Sequence, residues 1–182
     1  MMKLKYFEQA DFHKLIGWID NPELLLQWGG PNFQFPLDES QLHRYLEGAN
    51  VKGAATYVYS VLNKESTEVV GHISLGKVDY AHQSARVGKV LVGDKEIRGQ
   101  GIGQTMMEEI LKIAFNELHL HRVSLGVFDF NHSAISCYEK AGFKKEGLLR
   151  DARKYKDEYW SLWEMSILRP EWESKNEVPL FK

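Results

Sequence analysis

Arg98-Gly99-Gln100-Gly101-Ile102-Gly103 stands between a short apolar strand and a long amphipathic stretch. A helix that begins there has first N–H groups with no intrahelical partner, and its dipole adds partial positive charge. Glycines let the backbone come close to a phosphate, and Arg98 adds a fixed charge with forked donors. The chemistry on offer is the holding of a pyrophosphate on a nucleotide-like cofactor. A plain Gly-rich strand-to-helix turn is the bland alternative. Two rival phosphate motifs fail. A Walker loop needs Lys-Ser/Thr after its glycines, and none follows here. A dinucleotide fingerprint needs Gly-x-Gly-x-x-Gly. Counted from Gly99 the third glycine comes one residue early, and counted from Gly101 its place is taken by Met106.

The pattern that matches is Arg/Gln-x-x-Gly-x-Gly/Ala. A second segment lies downstream, Asn131-x-x-Ala134-x-x-x-Tyr138-x-x-x-Gly142-Phe143. With a helix and a strand between them, the two segments resemble the cofactor-binding parts of the GCN5-related N-acetyltransferase (GNAT) superfamily. The resemblance implies acetyl-CoA as co-substrate and transfer of its acetyl group to a primary amine. It further implies direct attack in a ternary complex, without an acyl-enzyme. Gly147-Leu148-Leu149-Arg150 and the closing Trp163 to Leu168 look like the branch of ribosomal-protein N-terminal and spermidine acetyltransferases. That branch leaves the acceptor open among protein N-termini, polyamines and small amines. A non-catalytic acyl-CoA-binding or sensory domain on the same fold is the alternative.

Acetyl transfer needs a held thioester, a neutral amine, a stabilised oxyanion and a proton for the departing thiolate. The resemblance assigns the pyrophosphate to the loop of Arg98, Gly99, Gln100, Gly101, Ile102 and Gly103. It gives the pantetheine arm to the strand Val90-Leu91-Val92, where an N–H can polarise the thioester carbonyl, and to Asn131. Tyr138 becomes the general acid, since a phenol near ~10 is close to an alkyl thiol in acidity. The base has no matching residue. Many relatives carry Glu where this chain has Arg86, and Asp where it has Ser161. His72, His82 and Glu158 lie near the relevant strands and read as surface or loop groups. Arg86 is instead a candidate to bind an acidic group on the substrate. Cys137 reads as packing, and His119 and His121 have no metal-like cluster around them, so no metal site is assigned.

The elements that must position these residues are legible in the periodicities. Leu4 to Phe7 reads as a strand, and Asp11 as the cap of a helix carrying Phe12, Leu15, Ile16 and Ile19. Pro22 opens a short helix through Leu26. Asp38 caps another through Leu46, with Gln41 as its capping-box partner. Trp28-Gly29-Gly30-Pro31 reads as packing or as a substrate loop. Thr56–Leu62, Val69–Val78 and Arg86–Val92 form an antiparallel meander rich in β-branched residues. A helix from Gly101 to about Leu118, a strand from Arg122 to Phe128 and a helix from Asn131 to Lys140 follow, the last stopped by Gly142. Strands fill Phe143 to Leu168, and Glu171 to Val178 reads as a loose tail. The fold class is α+β: one mostly antiparallel mixed sheet flanked by helices on both faces. The catalytic domain spans 2–170, with 171–182 as the tail.

At 182 residues the chain suits one domain, and a net charge of −2 offers no footprint for nucleic acid or an anionic membrane. The N-terminus lacks the apolar run of a signal peptide, and no apolar stretch is long enough to span a bilayer. With a single cysteine these features predict a cytoplasmic protein. The C-terminal strand and exposed aromatics permit a homodimer.

Overall fold

The computed structural model describes residues 2–93 and 95–176. Seven strands form one sheet: β1 (Met2–Tyr6), β2 (Tyr57–Asn63), β3 (Val69–Asp79), β4 (Ser84–Val92), β5 (Arg122–Phe128), β6 (Lys144–Tyr155) and β7 (Glu158–Leu168). Their order is β1-β2-β3-β4-β5-β7-β6. Every neighbouring pair is antiparallel except β4 and β5. That parallel pair follows from the helix between them, because parallel neighbours need a crossover.

The helices are α1 (Phe12–Trp18), α2 (Pro22–Gly29), α3 (Glu39–Leu46), α4 (Ile102–Lys112), α5 (His132–Ala141) and α6 (Arg169–Asn176). They divide the core into two layers. α4 and α5 pack on one face through Met106, Met107, Ile110, Ile135 and Tyr138, against Ile73, Val87, Val123 and Met165. α1, α2 and α3 cover the other through Phe12, Leu15, Leu25, Trp28 and Leu42, against Val58 and Leu91. The period-2 alternation of the strands thus sorts their residues between two chemically different sides.

Several local signals act as the sequence predicts. Pro22 opens α2, and Asp38 caps α3 through Gln41 N. Gly142 takes the left-handed conformation that stops α5. Others depart. α2 runs on to Gly29. Gln41 does not reach back to its cap; its amide bridges the carbonyls of Gln34 and Pro36 and accepts from Gln34 N. A loop that needed its backbone satisfied has taken the capping residue. Asp11 does not cap α1 either. Its buried carboxylate accepts from Lys5 Nζ at 2.8 Å and Ser60 Oγ at 2.6 Å, tying β1 and β2 to the α1 layer. The long central helix ends in a π turn, Ile113–Glu117, where Leu118 N donates to Ile113 O.

The segment from Glu171, read as a loose tail, is helical as far as Asn176. Glu171 Oε2 accepts from Leu168 N, Arg169 donates to Leu120 O and Phe115 O, and Trp172 packs on Phe115 at 5.3 Å between ring centroids. Two side chains of a polar segment find partners from a distant helix, and tertiary contact overrides its weak helical pattern. The tail's last residues, 177–182, lie outside the described residues.

Candidate active site

β4 and β5 pair only over Ser84–Arg86 and Arg122–Ser124, and then part. The divergence opens a cleft of about 790 Å³ in the middle of the sheet. β4 also carries a bulge beside it. His72 pairs with Leu91 and Ser74 with Gly88, so Lys89 and Val90 together face the single Ile73. Lys89 sits at φ +52°, the left-handed region, as a bulge requires of one of its residues. Trp28 Nε1 donates to Lys89 O at 3.0 Å and holds this conformation. A bulge frees backbone groups from the ladder, and here it does so along the wall of the cleft.

Val90, Leu91, Val92, Arg98, Gly99, Gly101, Ile102, Gly103, Asn131 and Tyr138 all line this cleft. Gln100 does not: its amide turns back to Glu96 O. Gly101 is the N-cap of α4 in the left-handed conformation at φ +80°, with open space where a Cβ would lie. Gly99 is likewise left-handed, at φ +82°. The strain on any other residue, rather than crowding, explains glycine at both. The α4 N-terminus therefore faces the cleft with bare backbone, which suits a pyrophosphate. Arg98 Nε donates to Val92 O at 3.0 Å, pinning the loop to the end of β4. That carbonyl is consequently engaged already, unlike the groups the bulge frees at Lys89 and Val90.

Asn131 proves to be the N-cap of α5, its Oδ1 accepting from Ala134 N and Ser133 Oγ, so Nδ2 is the atom left for a ligand. Tyr138 is buried, and burial pushes its phenol above the ordinary tyrosine range. Its hydroxyl has no hydrogen-bond partner among the described residues. Beside it Cys137 is half-buried with its thiol pushed up by burial, which keeps it protonated and unreactive.

Arg86 does not wait for an acidic substrate. Its guanidinium crosses β5 and makes a two-pronged ion pair with Glu164 on β7, both N–O distances 2.7 Å. Gly126 makes the crossing feasible: a Cβ there would lie 2.5 Å from Arg86 Nη2 and 2.9 Å from Leu162 Cδ2. Gly126→Ala is expected to break this geometry and lower the urea midpoint, with Gly88→Ala as the comparison because a Cβ there meets nothing closer than 3.7 Å. Equal midpoints would show that Arg86 yields freely. Glu164 was missed because its only sequence signal is spacing within a strand, and its partner lies two strands away.

His82 is exposed and bound to Asp79, and Ser161 Oγ accepts from Asp151 N; neither belongs to the cleft. Glu158 is exposed at the start of β7. His72 is buried at the back of the bulge, 3.2 Å from Tyr45 Oη, with Nδ1 unpartnered. Burial lowers its pKa to about 3, so it stays neutral. No group of His, Cys, Asp and Glu able to hold a metal occurs among the described residues. No helix of the described residues is long and apolar enough to cross a membrane.

The chain matches known proteins in the same terms. A model of the Acetyltransferase (GNAT) family covers residues 23–143. A spermidine N(1)-acetyltransferase of Vibrio cholerae is 23% identical over 97% of this chain and 98% of its own. A protein named as a putative ribosomal N-acetyltransferase of Bacillus subtilis is 31% identical over 58% of this chain and 56% of its own. The crystal structure of spermidine N-acetyltransferase from Vibrio cholerae with CoA and spermine superposes with a TM-score of 0.80 at 23% identity, covering 94% of this chain and 97% of that one. The parted strands, the bulge and the glycine loop at a helix start thus have a common explanation: this chain belongs to the acetyltransferase (GNAT) family and is an N-acetyltransferase with acetyl-CoA as its co-substrate.

Proposed function

We propose that the protein transfers acetyl directly from acetyl-CoA to a primary amine within a ternary complex. The observation that carries this reading is the convergence of the α4 N-terminus, the β4 bulge and the Tyr138 hydroxyl on one cleft. The backbone of Gly99, Gly101 and Gly103, with Arg98, binds the pyrophosphate. Val90 and Leu91 take the pantetheine arm as an added strand along the parted edge of β4, and Asn131 Nδ2 donates to it. A backbone N–H at the bulge polarises the thioester carbonyl and stabilises the oxyanion. As the N–C bond forms and the C–S bond breaks, Tyr138 delivers its proton to the leaving sulfur, and the proton shed by the attacking nitrogen restores the phenol. The acceptor enters from the face that carries Trp28, Arg86 and Lys89, opposite the α4–α5 layer.

The test is thiol release from acetyl-CoA with a panel of peptides, polyamines and amino sugars. Acetyl-CoA binding without acceleration by any amine would sink the transfer reading. Arg98→Glu is expected to weaken acetyl-CoA at least about tenfold by calorimetry, since it puts a like charge beside the phosphates. Unchanged affinity would remove the pyrophosphate from this loop.

A further inference from the structure

The acceptor face has a definite charge. Strand parity places Arg86, Gly88, Lys89 and Leu91 on the side of α1–α3, because Ala85, Val87, Val90 and Val92 pack into the α4–α5 layer. The bulge puts Gly88 and Lys89 on the same side in succession. Lys89 confirms the assignment through its own contacts: Nζ lies 5.0 Å from the Tyr45 ring centroid and 5.7 Å from that of Phe33, both on the acceptor face. It is therefore across the sheet from the Arg98 loop, where the cofactor's phosphates would bind. Arg153, from β6, also lines the cleft, and its Nη1 is held by Ala152 O. Arg86 is already neutralised by Glu164. No Asp or Glu side chain lines the cleft among the described residues.

A polyamine or an aminoglycoside carries several ammonium groups besides the one acetylated. Each needs a carboxylate or a ring face to replace its hydration. Here the ring faces of Phe33 and Tyr45, just behind the cleft lining, are occupied by Lys89, a cation of the protein itself. Burial and the nearby Lys77 together draw Lys89 below the ordinary lysine range, so a second cation is unwelcome there and an anion is favoured. We propose that the acceptor is a primary amine carrying a carboxylate, recognised by Lys89 with Arg153, and not a polycation. This rests on the acetyl-transfer reading above, and it separates the chain from the spermidine acetyltransferase it resembles.

The experiment uses matched amines that differ only in carboxylate against carboxamide: glutamate and glutamine, and a dipeptide amide with Asp or Asn in second place. Spermidine is the polycationic probe. Both kcat/KM and binding to the CoA-loaded protein are measured. The carboxylate member of at least one pair is expected to lead by about tenfold or more. Lys89→Gln should bring that ratio near one, and Lys89→Arg should keep it. The ratio within a pair is the readout, so a general loss of activity or of folded protein cannot imitate the result. Spermidine as the best acceptor, or pairs that are equal in both rate and binding, would overturn the proposal. Selective binding of the carboxylates without turnover would uphold it while removing the transfer reading.

Discussion

Replacing Tyr138 by Phe is expected to lower kcat at least about a hundredfold, the usual scale for loss of a positioned general acid. The KM for acetyl-CoA should change little. The argument starts from packing. Tyr138 sits in the α4–α5 core, 6.3 Å from Phe143 between ring centroids, so a Phe ring occupies the same space. Only the hydroxyl is lost, and it makes no other hydrogen bond among the described residues. The folded state therefore has little to lose, and an effect on rate reports chemistry. Burial has already raised the phenol, so the acid starts protonated throughout the neutral range. The departing thiolate would otherwise leave unprotonated. The comparison is the rate of thiol release at saturating amine, with CoA affinity and the unfolding midpoint measured alongside. Unchanged kcat would remove Tyr138 from the mechanism.

Acidification is expected to destabilise the protein well before its carboxylates titrate, through His72. Its ring is 1% exposed, wedged edge-on against Phe7 and Trp28, with one nitrogen unpartnered. Burial lowers the folded pKa from 6.5 to about 3. Between those values the unfolded chain binds a proton that the folded chain refuses. Stability is therefore full above 6.5 and falls as pH drops toward 3, by at most about 1.4 kcal/mol per unit. Glu146, held down to about 2 by Arg122 and Ser166, adds its own loss only as pH falls below 4.5. The two windows are thus separable. His72→Leu should be less stable at pH 7.5, because Tyr45 Oη loses its hydrogen bond to the imidazole, yet lose less between pH 6.5 and 4.5. Urea midpoints across that range decide it, and parallel curves for the two proteins would exclude His72 as the cause.

Both expectations concern residues whose meaning differed greatly in legibility. The setting of Tyr138 was readable because it is local: a cap, a helix and a glycine stop, all within the segment Asn131 to Phe143. His72 read as a surface or loop group and is instead buried, since nothing near it in sequence announces Tyr45, Trp28 or Lys89. The bulge was equally hidden. It depends on how β4 pairs with β3, and pairing register is a long-range property. Arg86 shows the cost of local reading most clearly. Read as a free cation for an acidic substrate, it is bound to Glu164 across an intervening strand.

The sequence by itself determined the family, through the two matched segments at Arg98–Gly103 and Asn131–Phe143, and the order of elements. The order of elements rests on helix starts, a glycine stop and period-2 or helical alternation, which nearby residues control. Only the tertiary structure decided where β4 and β5 part, and that Arg86 is paired with Glu164 while Lys89 stands over the Phe33 and Tyr45 rings. Those outcomes turn on which strands become neighbours and on a glycine small enough to let one side chain pass over another. Such contacts join residues far apart in the chain, where local pattern carries no information.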